Sequence, residues 1–254
     1  DLLVTDTDGA PLLQIEGLKA RRAPKELLLR SAGDVGAGQK RRFEMAWNEL
    51  DVTDDVPPAL GRWLVIGNPG APLAALANRI SSTDRDVETL VLGRDADGLD
   101  AASVRAMFES IAAEATASDT DVVGVVCLWG GTDLRDTEHH DTDEQAAAHA
   151  LSASGLHVLQ ASGAVFSGTP IWWVTTGAHS EGATFPSQTC IWGMGRAWQQ
   201  EQSTTPLLLV DLPDSTSETD SIEGIIRELG THDMEPQVRL RGGRREGARL
   251  VRAS

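Results

Sequence analysis

From residue 43 onward, short apolar runs alternate with stretches of helical period. Phe43-Glu44-Met45-Ala46-Trp47 reads as a strand, and Trp63-Leu64-Val65-Ile66-Gly67 as a second, ending in the turn signal Gly67-Asn68-Pro69-Gly70. Leu73, Leu76, Ala77 and Ile80 then recur at helical spacing, and Val87-Glu88-Thr89-Leu90-Val91-Leu92 predicts the next strand. Asp100 is placed to cap a helix whose apolar stripe is Val104, Met107, Phe108, Ile111 and Ala115. Val122 to Trp129 is an uninterrupted apolar strand, the pattern of a parallel sheet covered on both faces.

The second half continues in the same way. Thr142-Asp143-Glu144-Gln145 has capping-box spacing and opens a helical region to Val165, which Gly155 and Gly163 are expected to loosen. Ile171 to Thr176 is a strand. The helix around Trp192 holds Gly193 and Gly195, each costing about 1 kcal/mol relative to Ala in a helix interior. Tight packing of that helix on the sheet is the expected reason. A strand at 206–211 follows, then a helix over 220–229 with Gly230 as its stop. Gln237–Leu240 and Ala248–Val251 pair about Gly242-Gly243. Repeated β-α-β units with buried strands predict an α/β fold: a truncated Rossmann-like, doubly wound, mainly parallel sheet with right-handed crossovers.

The first 42 residues differ. Residues 1–22 alternate around Asp8-Gly9, a hairpin signal. Two strands cannot bury a core alone, so they are expected to be the last strands of a preceding domain or an edge added to one. Asp6 and Asp8 are not followed by ligands at calcium-loop spacing. Residues 19–42 hold eight of the 22 Lys and Arg and are broken by Ser31-Ala32-Gly33 and Gly36-Ala37-Gly38. They read as a basic linker lying across an acidic domain. The expected boundaries are a hairpin over 1–22, a linker over 23–42 and the main domain over 43–254. The opening Asp1-Leu2-Leu3-Val4 is already strand-like and has no initiator Met, as in a segment of a longer polypeptide.

Composition narrows the function. A net charge of −16 argues against nucleic acid, which needs a basic face. No apolar run approaches the roughly 20 residues of a membrane span, so no membrane partner and a cytoplasmic location are expected. Cys127 and Cys190 sit in apolar runs and read as buried, reduced thiols. The chain has seven Trp and no Tyr, so no phenol can serve as a general acid.

Candidate chemistry is sparse. Gly67-Asn68-Pro69-Gly70 stands where a dinucleotide fold keeps its pyrophosphate loop, but it lacks the three-glycine spacing and Pro69 removes an N–H. Gly130-Gly131-Thr132, at another strand end, is equally weak. His139-His140 lie among Asp136, Glu138, Asp141, Asp143 and Glu144, with His149 beyond; this reads as a solvated acidic loop rather than a metal site. His157, His179 and His232 are isolated, and there is no Gly-x-Ser-x-Gly elbow. No catalytic, cofactor-binding or metal residue is assigned.

Trp192-Gly193-Met194-Gly195-Arg196-Ala197 followed by Leu209-Val210-Asp211-Leu212-Pro213 resembles the "WG-x-GR … LVDLP" region of modular polyketide synthase ketoreductases, in their N-terminal structural subdomain. Phe43–Trp47 and Trp63–Gly67 resemble that subdomain's first strands. Val238–Arg244 with Ala248–Arg252 resembles its closing hairpin. Glu201-Gln202-Ser203 departs from the Glu-His-Pro common there. Residues 1–22 resemble the final strands of a dehydratase of hot-dog fold.

The resemblance implies a non-catalytic half that stabilises a second, NADPH-binding catalytic half, which reduces β-ketoacyl chains on an acyl carrier protein. It also implies neighbouring dehydratase and, in some modules, enoylreductase or C-methyltransferase domains. Two alternatives stand beside it: a spacer whose partner half is inactive, and a stand-alone enzyme on a degenerate Rossmann fold using Gly67–Gly70 and His139-His140.

Overall fold

The β strands alternate between two cores, and this fixes the architecture. In the computed structural model, Trp172 and Trp173 are adjacent in sequence yet point to opposite faces of one sheet. The structure describes residues 2–5, 11–15, 42–51, 56–68, 71–82, 86–91, 100–130, 144–179, 186–201, 204–213, 217–231 and 233–253. They fall into two units, Asp1–Glu44 with Val251–Ser254, and Met45–Leu250.

In the first unit, β1 (Leu2–Thr5) and β2 (Pro11–Ile15) form an antiparallel two-stranded sheet, with Leu3 opposite Gln14. The Asp8-Gly9 turn, Asp6, and the linker proposed for 23–42 up to residue 41 lie outside the described residues.

The remaining strands are β3 (Phe43–Glu49), β4 (Arg62–Gly67), β5 (Asp86–Val91), β6 (Val122–Leu128), β7 (Ile171–Thr176), β8 (Leu207–Leu212), β9 (Gln237–Arg241) and β10 (Arg244–Arg252). They build an eight-stranded sheet in the order β3-β10-β9-β8-β7-β6-β4-β5. From β5 across to β9 every pairing is parallel; β9 and β10 are antiparallel. The β9–β10 turn is Gly242-Gly243, at φ 55° and 77°. Two successive left-handed residues give the tight hairpin turn whose twist matches the strands, and only glycine adopts that pair without strain.

Five helices cover the described sheet: α1 (Ala71–Ser81), α2 (Ala101–Ala117), α3 (Glu144–Val165), α4 (Pro186–Glu201) and α5 (Glu218–Gly230). Leu64, Ile66, Val125, Cys127, Ile171, Trp173, Leu207 and Leu209 pack under α2, α3 and α4. Trp63, Val65, Val126, Leu128, Trp172, Val174, Leu208 and Val210 pack under α1 and α5. Each fully buried side chain of this size contributes about 1.5–3 kcal/mol. The helix stripes fall as their spacing predicts: Leu73, Leu76, Ala77 and Ile80 of α1 are buried, as are Val104, Phe108, Ile111 and Ala115 of α2. Asp100 caps α2 by accepting the Ser103 N–H at 2.9 Å.

Several expectations need correction. Cys190 is exposed, because the buried side of α4 is Ser187, Gln188, Ile191, Trp192 and Gly195, and position 190 faces away from it. Gly155 does not loosen α3, which runs unbroken; a Cβ there would press on Met194 Cε at 3.0 Å, so it lets α4 approach. Gly195 does serve close packing, since its Cβ would meet Leu209 Cδ2 at 2.6 Å, but Gly193 is exposed with nothing within 4 Å. Gly230 is the last residue of α5 and not a left-handed stop. Its Cβ would fall on the Val56 carbonyl oxygen, at 1.6 Å. Thr142 and Asp143, the cap expected for α3, lie outside the described residues.

These contacts separate two helical glycines by their stability effect. Gly230→Ala is expected to cost about 1–3 kcal/mol through overpacking against backbone. Gly193→Ala is expected to stabilise by up to about 1 kcal/mol through helix propensity. Urea unfolding midpoints of the two variants check both signs.

Candidate functional site

In doubly wound sheets, ligands bind at the carboxyl ends of the strands where the winding reverses. Here β4 is followed by β5 on one side and β6 on the other, so the reversal lies between Gly67 and Leu128-Trp129-Gly130. The described residues fill it. A Cβ at Gly67 would touch Leu128 Cβ and Leu73 Cδ1, both at 3.2 Å. A Cβ at Gly130 would meet the Thr176 N and Oγ1 at 2.6 Å. The N–H groups of Trp129 and Gly130 both donate to the Val174 carbonyl, at 2.8 and 3.4 Å. Thr176 N–H donates to Gln188 Oε1 at 2.6 Å. These amides belong to the sheet and are not free to cradle a phosphate.

Pro72, at the second position of α1, carries no N–H, and neither does Pro69. Pro69 and Gly70 themselves lie outside the described residues, as do Gly131, Thr132, His139, His140 and His232. His149 is exposed on α3. Among the described residues no group of three or more His, Cys, Asp or Glu is placed to hold a metal. Cys127 is fully buried, and burial pushes its thiol up, the opposite of what a nucleophile needs.

The polar centre of the chain is elsewhere, at the end of β8. Asp211 is fully buried. Its Oδ1 accepts from Thr175 Oγ1 at 2.8 Å and from the Ala178 N–H at 2.9 Å. Its Oδ2 accepts from the His179 N–H at 3.0 Å and from Arg241 Nη2 at 2.6 Å. Thr175 Oγ1 in turn accepts from Trp192 Nε1 at 2.8 Å. One carboxylate therefore joins β7, the turn after it, α4 and β9. Gly-free spacing gave no hint of this, but the joint appearance of a Trp in α4 and an Asp in the otherwise apolar strand Leu207–Leu212 was a signal: a charge in such a strand must be matched.

An aromatic cluster caps the network. His179 lies edge-on to Trp192 with ring centroids 4.3 Å apart, and 5.2 Å from the Trp47 ring. Arg239 sits 4.8 Å over Trp47 and pairs with Glu246 at 2.5 Å; Arg196 sits 5.5 Å from the Trp192 ring and donates to Gln237 Oε1 at 2.9 Å. Burial holds the His179 imidazole below its ordinary range; Asp211 pulls the other way, while Arg196, Arg239 and Arg241 add to the depression. Its Nε2 has no hydrogen-bond partner among the described residues.

A second depression, a cleft of about 560 Å³, lies between α5 and the β9–β10 turn. Its charged lining is largely committed: Arg245 to Glu228 and Asp233, Arg241 to Asp211, and Glu223 to Arg79.

Residues 45–250 match the family model described as "Polyketide synthase extender module SpnB, Rossmann fold domain". The chain is 29% identical over 235 residues to polyketide synthase GfsA of Streptomyces halstedii, covering 87% of this chain and 3% of that protein. It is 29% identical over 224 residues to the pikromycin synthase component PikAII of Streptomyces venezuelae, covering 84% and 6%. A solved C2-type ketoreductase from a modular polyketide synthase superposes with a TM-score of 0.64 at 26% identity, covering 85% of this chain and 44% of that one. The chain thus spans less than half of that ketoreductase and a few per cent of the synthases.

Two predictions follow from the polar centre. Asp211→Ala is expected to cost about 3–5 kcal/mol by leaving Arg241 and a ring of donors unmatched. Trp192→Phe, which removes only the indole N–H, is expected to cost about 0.5–1.5 kcal/mol. Denaturant unfolding of both variants measures the difference. The pH prediction concerns His179. Its folded form resists the proton that the unfolded chain accepts at about pH 6.5. Its contribution is therefore complete above that pH and is lost as pH falls below it. Unfolding free energies at pH 7.5 and 5.5 should differ more in the native chain than in His179→Phe.

Proposed function

Because the chain belongs to the family of Rossmann-fold domains of polyketide synthase extender modules, we propose that it is the non-catalytic, structural half of a ketoreductase. Its role is to brace a catalytic half that binds NADPH and reduces β-ketoacyl chains on an acyl carrier protein. One observation carries this reading. The residues that look most like a functional motif, Trp192 and Asp211, spend their polar atoms inside the domain: the indole N–H on Thr175 of β7, and the carboxylate on Thr175, the turn after β7 and Arg241 of β9. Among the described residues the β4–β6 carboxyl ends are closely packed as well, which supports a bracing role.

The lack of tyrosine supports the same reading, since the reducing half is the part expected to supply a phenol. Residues 1–22, with the antiparallel β1–β2 pair, fit the end of an upstream dehydratase domain. The wider partners are then the dehydratase, the carrier protein and, in some modules, an enoylreductase or C-methyltransferase. No helix among the described residues is long and apolar enough to cross a membrane.

Isothermal titration of this chain with NADPH tests the reading. No heat of binding is expected up to millimolar cofactor, whereas the intact ketoreductase should bind. Micromolar binding by this chain alone would overturn it.

A further inference from the structure

We infer that the β3–β10 flank of the sheet is the face on which the catalytic half of the ketoreductase is seated; this rests on the bracing role proposed above. The two margins of the sheet differ. The β5 margin is defended by charge: Asp86 and Glu88 are exposed, and Asp86 pairs with Arg62 at 2.7 Å. That is the usual protection of a free strand edge. On the opposite flank Met45 of β3 is 42% exposed and Leu250 of β10 is 69% exposed.

The two side chains form one strip. The hydrogen bonds Leu50 N–H to the Arg245 carbonyl and Ala253 N–H to the Arg42 carbonyl run in opposite order along the two strands. That register sets Met45 across from Leu250, on the same face as Trp47. This is the face covered elsewhere by α2, α3 and α4. Among the described residues α4 is the last helix on it, and its Trp192 reaches no further than Trp47. Phe43, two positions from Met45 in β3, is exposed as well, whereas Leu60, Leu156 on α3 and Met234 lie elsewhere in the chain, as single exposed apolar residues ordinarily do. Paired large apolar side chains beside a strand edge that is free among the described residues are not ordinary, unless another body covers them.

The size of the solved relatives identifies that body. The chain covers 42–44% of three of the solved ketoreductases that share its fold, so more than half of each of these lies outside the matched part. An extended segment of that second half can add to the free edge of β3 by main-chain hydrogen bonds, with apolar side chains over Met45 and Leu250.

Amide hydrogen exchange compares this chain alone with the same residues inside the intact ketoreductase. Amides of residues 45–49 are expected to exchange at least tenfold more slowly in the intact protein. If protection instead appears at Asp86–Val91 or around Leu156, with β3 unchanged, the assigned face is wrong while the bracing role stands. If no segment gains protection, both fall. A second test coexpresses the two halves as separate chains. Met45→Glu with Leu250→Glu is expected to abolish co-elution on gel filtration, and Leu156→Glu to leave it intact; the reverse pattern overturns the assignment. The unfolding midpoint of the double variant shows that its own fold survives.

Discussion

A carboxylate at the end of an apolar strand has to be neutralised before the strand can be buried, and the organisation of this chain follows from how that is done. Asp211 takes two side-chain and two main-chain donors from three other elements. Leaving such a group unmatched in a protein interior is far more costly than any single hydrogen bond is favourable. The network therefore specifies position: β7, its following turn and β9 have one arrangement that satisfies it. Trp192 extends the same constraint to α4 through Thr175. The aromatic cluster of Trp47, His179 and Trp192 then carries it on to the strand at the sheet margin.

A second buried charge group does the same work on the other face. Arg245 lies between Glu228 of α5 and Asp233, at 2.7 and 2.6 Å. Burial raises the affinity of Glu228 for a proton, and the guanidinium opposes it. The hairpin β9–β10 is thereby fixed to α5 on one side and to the Asp211 network on the other. Both groups add specificity to a sheet whose apolar packing alone would tolerate some sliding.

Much of this was legible in the residues. Apolar runs of strand length located the strands, and the stripes at three- and four-residue spacing located the helices, because burial of a repeating face dominates local preference. Individual glycines were harder to read. Gly193, Gly195 and Gly230 look alike in sequence, yet one faces solvent, one faces Leu209 and one faces the Val56 carbonyl. The difference lies in long-range neighbours that no local window contains. Cys190 was misjudged for a related reason: a run of apolar neighbours does not say which side of a helix a residue occupies. The central polar network was visible only as a motif. Its bonds to Asp211 span 30 to 36 positions of the chain, and its physical meaning appears once β7, β8 and β9 are paired.

The strand order has a consequence for biosynthesis. β3 leaves the ribosome ahead of every other strand of the large sheet, yet its neighbour in that sheet is β10, about 200 residues later. The β4-to-β9 body can assemble as it emerges, since its neighbours are close in sequence. The margin strand must wait, with its apolar residues in water, until the last strand is complete. Contacts of such long sequence separation form slowly and expose the chain to misassociation. During translation, the interval before β10 appears is when the margin strand is without the partner it has in the finished sheet.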